Sequence, residues 1–458
     1  MIQAAALDYM QKGYNIFLTG APGSGKSYVI ESFVKTARRH GKTVALTATT
    51  GIAASLLAGI TIHSWTGIGI GRVLDKQFLE NLLENRILTD RLNEADILII
   101  DEISMLDGPT LDGLDQLLKL ARSNSQAFGG IQVILSGDFF QLPPISQGLP
   151  VYAFQSEAWE NLGLKVCYLT DQYRQRTDEL SEILTALREK RFERRHLDLL
   201  TDRQGIEHQD TTMLLTHNKE VDEINETRLS QIKAKEHIFE MVFSGDNNQA
   251  IKLAKTVLAP SLLKLKVGAS IMFVANDFSQ GFANGTQGKI VGFKTGLPIV
   301  EVEGKGRKIK VEAHSWKHVI DNKILAEITQ LPLRLAWAIT IHKSQGMSLD
   351  EADIDLRRSF TYGMGYVALS RLRSYQGLYL RGINSRSLQL DSKIYDLDSY
   401  LRKSSMILTR EVAQKVATKH SLNQEIQALL AAGQTKKFIK LSLGLSEKQW
   451  QLALSTSS

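Results

Sequence analysis

Residues 17–31 read FLTGAPGSGKSYVIE, and this stretch determines the fold of the first part of the chain. An apolar run leads into it like a buried strand, and apolar residues at helical spacing lead out of it. Gly20, Gly25, Lys26 and Ser27 fit the phosphate-binding pattern of a glycine, four residues, Gly-Lys and a hydroxyl residue. The backbone amides of such a loop surround phosphates, its lysine neutralises the β- and γ-phosphates, and its hydroxyl ligates Mg²⁺. The stretch therefore predicts a site for a nucleoside triphosphate and Mg²⁺.

The composition is that of a globular protein, with 43% hydrophobic and 23% charged residues among 458. The single cysteine, Cys167, excludes an intramolecular disulfide and fits a reducing compartment. No apolar run reaches the length of a membrane span, and the N-terminus lacks a signal-peptide pattern, so we expect no membrane partner. The net charge of +6 suits a polyanionic partner and suits ordinary solubility equally.

The order of predicted elements divides the chain into α/β units and insertions. Two stretches alternate strand-like and helical runs, which is the rhythm of a parallel sheet covered by helices. Between the halves of the second stretch, short strands separated by Asn-Gly and other glycine turns predict a small antiparallel barrel. The expected units are a first domain (1–165) with an insertion (67–93), a second domain (166–261 and 331–403), the barrel (262–330) and a helical tail (404–458).

Two further strand ends carry polar residues that suit phosphate chemistry. LIIDEIS at 98–104 ends an apolar strand with Asp101 and Glu102. In phosphate-loop enzymes a carboxylate at this edge holds Mg²⁺, and a second one orients or deprotonates the attacking water. SGDFFQLPP at 136–144 ends another strand, and the Gln141 amide is placed to bond the γ-phosphate. The alternative for the Asp-Glu pair is a solvated strand end, and the alternative for SGDFFQLPP is only a strand followed by a loop.

These motifs together resemble those of the Pif (petite integration frequency) helicases, which are 5′-to-3′ DNA helicases in the B branch of superfamily 1. The similarity follows the family order over nearly the whole chain. The segments that carry it are GAPGSGKS (20–27), TATTGIAA (47–54), TIHSWTGIG (61–69), DEIS (101–104), AFGGIQ (127–132), GDFFQLPP (137–144), DQYRQ (171–175), LLTHNKEVDEIN (214–225), LRLAWAITIHKSQGMSLD (333–350) and YVALSRLRS (366–374).

The resemblance implies an α/β fold with two tandem RecA-like P-loop domains, an inserted wedge, an inserted SH3-like β-barrel and a helical C-terminal tail. It implies ATP in the cleft between the domains, with Gln3 reading the adenine and Gly346 approaching the nucleotide. Arg174 and Arg371 would be arginine fingers from the second domain, and Gln345 would help to couple the nucleotide to DNA. For Gln3 and the arginines, ordinary surface contacts are the alternative. The expected ATP-site residues are Gln3, Gly20, Gly23, Ser24, Gly25, Lys26, Ser27 and Gly346, with Lys26, Asp101, Glu102, Gln141, Arg174 and Arg371 catalytic and with Ser27 and Asp101 on Mg²⁺.

The resemblance also implies a path for one DNA strand across both domains. Hydroxyl and backbone N–H groups after a strand can meet phosphates, and aromatic rings can stack on bases. For Trp65 and Phe139, which would be the stacking rings, packing in the core is the alternative. The expected DNA contacts are Thr49, Thr50, Gly51, His63, Ser64, Trp65 and Phe139 in the first domain and Thr340, His342 and Lys343 in the second.

By the same resemblance, the insertion at 67–93 would be the wedge that splits the duplex. Residues 433–454 are similar to a helix-turn-helix, for which packing against the motor, a protein contact and DNA docking are the open alternatives. The barrel carries basic residues that form either a DNA surface or a solvated edge, namely Lys289, Lys305, Arg307, Lys308 and Lys310.

We therefore expect an ATP- and Mg²⁺-dependent DNA helicase that moves 5′ to 3′ on single strands and unwinds duplex, forked or structured DNA. Family partners and processes would include G-quadruplexes, DNA repair, recombination and telomere maintenance. The alternatives are a RecD- or relaxase-type helicase and a DNA-stimulated remodelling ATPase that does not separate strands. Because little sequence precedes Gln3, we expect no organellar targeting and a bacterial or phage cytoplasm.

Overall fold

The structure is a computed structural model that describes residues 1–69, 74–145, 149–171, 178–206, 211–275, 277, 280–282, 284–302, 306–320 and 323–431, and positions 436, 440 and 443. These residues form two parallel sheets and an antiparallel region between them, which confirms the predicted α/β class. Within the described part of the chain, no helix combines the length and apolar character needed to cross a bilayer.

The first parallel sheet has six strands in the order β3-β2-β4-β5-β1-β6. Its central strands β1, β4 and β5 consist almost entirely of buried apolar residues, as expected for a sheet covered on both faces. All pairs are parallel, so the carboxyl ends of the strands share one edge. The strands are β1 (Ile16–Gly20), β2 (Val44–Ala48), β3 (Ile60–Thr61), β4 (Ile97–Asp101), β5 (Gln132–Gly137) and β6 (Lys165–Leu169).

Helices cover this sheet and follow its strands. Side chains cap the starts of α4 to α8; Asp107 of α7, for example, accepts a hydrogen bond of 2.7 Å from the backbone N–H of Thr110. The predicted insertion at 67–93 contains two short helices, α5 and most of α6, whose buried leucines Leu79 and Leu88 belong to the main core. The helices are α1 (Gln3–Gln11), α2 (Lys26–Arg39), α3 (Gly51–Leu56), α4 (Ile62–Thr66), α5 (Lys76–Leu83), α6 (Arg86–Glu94), α7 (Gly108–Ala121) and α8 (Glu157–Asn161).

The chain then enters the second domain and leaves it again for the antiparallel region. The entering elements are α9 (Glu179–Arg188), α10 (Arg194–Thr201), β7 (Met213–Leu215) and α11 (Asn218–Gln231). The antiparallel region contains a two-stranded sheet β10-β8, a five-stranded sheet β14-β13-β12-β11-β17 and a three-stranded sheet β15-β16-β9. Its elements are β8 (His237–Glu240), β9 (Val242–Gly245), α12 (Asn247–Thr256), β10 (Leu262–Leu265), β11 (Ser270–Phe273), β12 (Gln287–Lys294), β13 (Leu297–Val302), β14 (Lys308–Lys310), β15 (His314–Ile320), β16 (Lys323–Gln330) and β17 (Leu333–Leu335).

The second parallel sheet has the order β18-β7-β19-β20. Its remaining elements are β18 (Ala338–Thr340), β19 (Ala352–Leu356), α13 (Met364–Leu369), β20 (Leu378–Ile383) and α14 (Ser392–Ala431). One core cluster contains Phe17 and Leu135 of the first sheet together with Ile354 of the second, so the two domains pack against each other directly.

Three predicted boundaries are wrong. The second domain cannot begin at residue 166, because β6 pairs with β1 from Ile16↔Lys165 to Gly20↔Leu169 in the first sheet. The antiparallel region begins before residue 262, because β8 pairs with β10 and β9 pairs with β16. It extends past 330, because β17 pairs with β11.

The helical tail also differs from the expectation. Helix α14 begins at Ser392 and continues through the proposed boundary at 403/404 to Ala431. The helix-turn-helix expected at 433–454 lies outside the described residues except at positions 436, 440 and 443. The SH3-like character of the inserted strands stays a prediction.

Candidate nucleotide and DNA sites

The phosphate loop connects β1 to α2 at the carboxyl edge of the first sheet. Gly25, the residue that caps α2, has a φ of 88°, which is left-handed backbone that favours glycine. The ammonium of Lys26 donates to the carbonyl oxygens of Gly20 at 2.8 Å and Ala21 at 3.3 Å. Burial lowers the pKa of Lys26, and the negative charge of Asp138 opposes this shift. The loop is thus closed around its own lysine at the N-terminus of a helix, which is where phosphates bind.

A cavity of about 500 Å³ opens beside this loop. Both parallel-sheet domains contribute to its wall, as predicted for a nucleotide cleft. The lining residues are Pro22, Gly23, Gly25, Lys26, Ser27, Glu31, Ala53, Leu56, Leu57, Asp101, Glu102 and Gln141 from the first domain and Gly346, Ser348, Arg371 and Arg373 from the second.

Two carboxylates lie at the end of β4 in this cavity. Asp101 is 8% exposed, and its burial raises its pKa. Glu102 has a left-handed φ of 54°, and burial together with the charge of Asp101 raises the pKa of its carboxyl to about 7. Its Oε2 accepts a hydrogen bond of 3.0 Å from the Gln345 amide. A carboxyl with this pKa can take a proton from water near neutral pH.

Several buried polar atoms around the cleft have no hydrogen-bond partner among the described residues. They are the Ser24 hydroxyl and the amide oxygens of Gln141 and Gln345. Such atoms need a polar partner, and a triphosphate with bound water supplies one. Ser27 and Asp101 line the same cavity, and a hydroxyl, a carboxylate and phosphate oxygens form the oxygen-only set that Mg²⁺ prefers. Within the described ranges, no group of three or more His, Cys, Asp or Glu forms a metal site.

The second domain supplies an arginine to the cleft. Arg371 is 1% exposed, lines the cavity, and is held by the Val367 carbonyl at 3.0 Å and the Ser370 hydroxyl at 2.8 Å. Its positive charge lowers the pKa of Glu102 against the larger effect of burial. The other predicted finger, Arg174, lies outside the described residues.

The predicted adenine contact, Gln3, begins α1 close to the phosphate loop. Its amide donates to the Ser24 carbonyl at 3.2 Å, so the side chain lies beside the loop rather than on a remote surface. Arg373, which was not among the predicted residues, lines the cavity and pairs with Asp350 at 2.6 Å. The signal was present, because Arg373 lies two residues after Arg371 in the same motif.

The first group of expected DNA contacts begins with Thr49, which is hydrogen-bonded to the strand end that carries Asp101 and Glu102. The Thr49 backbone N–H donates to the Asp101 carbonyl at 3.1 Å, and its hydroxyl donates to the Glu102 carbonyl at 2.8 Å. The Thr50 hydroxyl accepts from the Ala53 N–H at 3.2 Å. Gly51 lies against the end of α12, where any side chain would collide with Thr256.

The second group lies on α4. Ser64 is exposed, and its hydroxyl accepts a hydrogen bond of 2.8 Å from the Thr61 hydroxyl. His63 is half-buried, and burial lowers its pKa. A second cavity, of about 330 Å³, is lined by Thr61 and Ser64 together with Lys252 of α12 and Lys317 of β15.

Three expected DNA contacts are contradicted by burial. Phe139 is 4% exposed, and its ring packs against Phe17 and Trp159 with centroids 5.6 and 5.7 Å away. Trp65 is 4% exposed within the main core, and Thr340 is 2% exposed. The open alternative of core packing is therefore correct for both aromatic rings. Thr340 instead accepts a hydrogen bond from the Lys343 backbone N–H.

Phe360, an aromatic residue that was not predicted from the sequence, lies beside the remaining expected contacts of the second domain. Phe360 is 55% exposed, and its ring stacks on His342 with centroids 6.0 Å apart and planes 16° apart. His217 contacts the same ring at 5.3 Å. Burial and His217 lower the pKa of His342, and burial also lowers that of Lys343. The three rings form an exposed aromatic face beside a lysine, which suits stacking on bases.

Comparison with known proteins agrees with this arrangement. A family model described as PIF1-like helicase matches residues 2–198, and one for the DNA helicase Pif1 2B domain matches residues 250–293. The chain is 39% identical to the ATP-dependent DNA helicase Pif1 of a Psychrobacter species, with 91% of this chain and 74% of the relative aligned.

Solved structures give the same result. Pif1 from a Bacteroides species in complex with ADP-AlF4 is 29% identical with a TM-score of 0.77, covering 88% of this chain and 96% of that one. Bacteroides Pif1 in complex with ADP-AlF3 and single-stranded DNA is 30% identical with a TM-score of 0.62, covering 88% and 97%. The predicted family resemblance is confirmed, and the chain belongs to the Pif1 family of ATP-dependent DNA helicases.

Proposed function

We propose that this chain hydrolyses ATP in the cleft between its two parallel-sheet domains and uses the energy to move 5′ to 3′ along single-stranded DNA and unwind duplexes ahead of it. The observation that carries the proposal is the cleft itself, in which the first domain supplies Lys26 and Glu102 and the second supplies Arg371. A ligand that contacts both walls favours the closed arrangement, and its cleavage removes that preference.

Each residue of the cleft has a role that follows from its position. Lys26 leaves its loop carbonyls to neutralise the β- and γ-phosphates. Ser27 and Asp101 would hold Mg²⁺, which would screen the phosphate charge. Glu102 accepts a proton from the attacking water, and Gln141 bonds the γ-phosphate. Arg371 stabilises the charge that develops in the transition state, a contribution worth about 10³–10⁵ in rate for arginine fingers.

The hydrogen bonds of Thr49 couple ATP hydrolysis in the cleft to the segment that contacts DNA. Its N–H and hydroxyl are bonded to the carbonyls of Asp101 and Glu102, so a shift at the catalytic carboxylates moves the start of α3. Thr50 and Gly51 continue this segment and offer backbone N–H groups to phosphates. In the second domain, Phe360 stacks on a base, and His342 and Lys343 hold the adjacent backbone.

The finer assignments rest on family resemblance and exposure. We assign the helices of the 67–93 insertion as the wedge at a DNA fork. Lys289, Arg307, Lys308 and Lys310 are exposed on the inserted strands and suit a DNA backbone, while Lys305 lies outside the described residues. The proposal also includes binding to structured DNA such as G-quadruplexes, protein contacts through the C-terminal tail and a cytoplasmic location.

The test of movement separates it from unwinding. Single-stranded oligonucleotides carrying biotin at the 5′ or the 3′ end are loaded with streptavidin, and its displacement by the protein is measured with ATP. We expect displacement from the 3′ end only, and none by Lys26→Ala. Displacement from the 5′ end would refute the polarity. DNA-stimulated hydrolysis with no displacement from either end would support a remodelling ATPase.

A further inference from the structure

A buried arginine outside the nucleotide cleft joins the elements that carry its two walls. Arg188 is the last residue of α9 and is 6% exposed. Its Nη1 lies 2.6 Å from a carboxylate oxygen of Asp138 and donates to the Tyr366 hydroxyl at 2.8 Å. Its Nη2 donates to the Tyr168 hydroxyl at 2.7 Å, and that hydroxyl donates to Asp398 at 2.7 Å. Asp398 also lies 3.5 Å from Nη2, so the end of β5, β6, α13 and α14 meet on one guanidinium group.

Two of these partners lead directly into the cleft. Asp138 follows β5, and its carbonyl accepts a hydrogen bond of 3.0 Å from the Gln141 N–H. Tyr366 belongs to α13, which is followed by Arg371. At the start of this helix, a Cβ on Gly363 would lie 2.6 Å from the Gln141 carbonyl oxygen, so the Gln141 loop and α13 are in close contact.

The chemistry of this contact requires an arginine. A guanidinium group is planar and presents separate N–H groups to several acceptors, whereas an ammonium group is a single point charge. Asp138 is 1% exposed and Tyr366 is 1% exposed, so no solvent is available to replace a lost partner. Separating β5 from α13 would leave a buried charge unpaired, which is strongly unfavourable. The contacts of Arg188 therefore favour one discrete arrangement of the two elements.

We propose that Arg188 is a positioning residue that fixes the distance between Gln141 and Arg371, and thereby sets the rate at which DNA-bound protein hydrolyses ATP. The proposal rests on the proposed ATPase function of the cleft. Arg188 does not line the cleft, so its hydrogen bonds act on the nucleotide site through the β5 end and α13.

The test compares Arg188→Lys with the matched control Arg402→Lys. Arg402 pairs with Asp398 at 2.6 Å and lies over the Tyr168 ring at 4.7 Å, at the other end of the same network. Tyr366→Phe serves as a second variant, because it removes only the hydroxyl that accepts from Arg188. Steady-state ATP hydrolysis is measured with saturating oligothymidine, together with ADP affinity and the melting temperature.

We expect Arg188→Lys and Tyr366→Phe to lower the DNA-stimulated kcat about 10- to 100-fold, the scale of a misplaced catalytic group, with the KM for ATP and the ADP affinity unchanged. Arg402→Lys should keep the wild-type kcat. If Arg188→Lys does not fold, Tyr366→Phe decides. A wild-type kcat in folded Tyr366→Phe would overturn the inference, and so would an equal loss in Arg402→Lys. Failure of the proposed function itself would be distinct, because wild-type protein would then show no DNA-stimulated hydrolysis.

Discussion

We predict different roles for two phenylalanines, with Phe139 packing in the core and Phe360 stacking on DNA. Phe139 is 4% exposed, and its ring centroid lies 5.0 Å from that of Phe154. Phe360 is 55% exposed and contacts His217 and His342 at the surface of the second domain. We predict that Phe139→Ala lowers the free energy of unfolding and that Phe360→Ala lowers the affinity for DNA.

The magnitudes follow from these surroundings. Truncating a buried phenylalanine removes its transfer free energy and leaves a cavity, which costs about 3–5 kcal/mol. Truncating exposed Phe360 should change stability by less than about 0.5 kcal/mol. If its ring stacks on one base, the loss is about 1–3 kcal/mol of binding. That loss raises the Kd for DNA roughly 5- to 150-fold.

Urea unfolding and fluorescence anisotropy with a labelled oligothymidine measure the two quantities, and the salt concentration is held constant because DNA affinity depends on it. Phe139→Leu, which keeps most of the apolar volume, is the control for the cavity. A Phe139→Ala protein with wild-type stability and weakened DNA binding would refute the reasoning about Phe139. A Phe360→Ala protein with wild-type Kd would refute the stacking assignment.

Three further predictions concern the cleft and the DNA path. Lys26→Ala should abolish ATP turnover, because the loop GAPGSGKS at 20–27 contains no other cationic residue; turnover near wild type would contradict this role. Burial and the charge of Asp101 raise the pKa of Glu102 to about 7, so the folded protein favours the protonated carboxyl. The contribution of this proton to the free energy of unfolding is present at acid pH and is lost as the pH rises through about 7. In nucleotide- and metal-free protein, Glu102→Gln should therefore raise the melting temperature at pH 8 more than at pH 5. An equal change in melting temperature at both pH values would count against a buried protonated Glu102. When ATP is added, the same variant should bind it without hydrolysing it. The Kd for single-stranded DNA should rise steadily with salt, since phosphate contacts release counterions, and a salt-independent Kd would contradict a backbone-tracking groove.

Local sequence patterns predicted which residues meet at the carboxyl edge of the first sheet, because their placement depends on local structure. The glycines, Lys26 and Ser27 lie within one turn between a strand and a helix, and Asp101 ends a continuous apolar strand. Parallel strands end at a common edge of the sheet, so these residues lie close together independently of how the rest of the chain folds. The cavity accordingly contains Lys26, Ser27, Asp101, Glu102 and Gln141 together with Arg371.

Partners that are distant in sequence could not be predicted in this way. The sequence of β6 is compatible with a strand of either parallel sheet. Only its observed pairing with β1 assigns it to the first sheet. The direction of the Phe139 ring depends on Phe17 and Trp159, which lie elsewhere in the chain. Arg188 ends an ordinary amphipathic helix, and two of its acceptors are 50 and 178 positions away at Asp138 and Tyr366.

The most direct test of the central claim is strand separation on three DNA substrates. A forked duplex with only a 5′ single-stranded tail, one with only a 3′ tail and a blunt duplex are each mixed with the full chain, ATP and Mg²⁺, and the released strand is quantified. We predict release from the 5′-tailed substrate alone. Release from the 3′-tailed substrate alone would contradict the polarity, and failure on all three with intact DNA-stimulated ATP hydrolysis would contradict the helicase assignment for this chain.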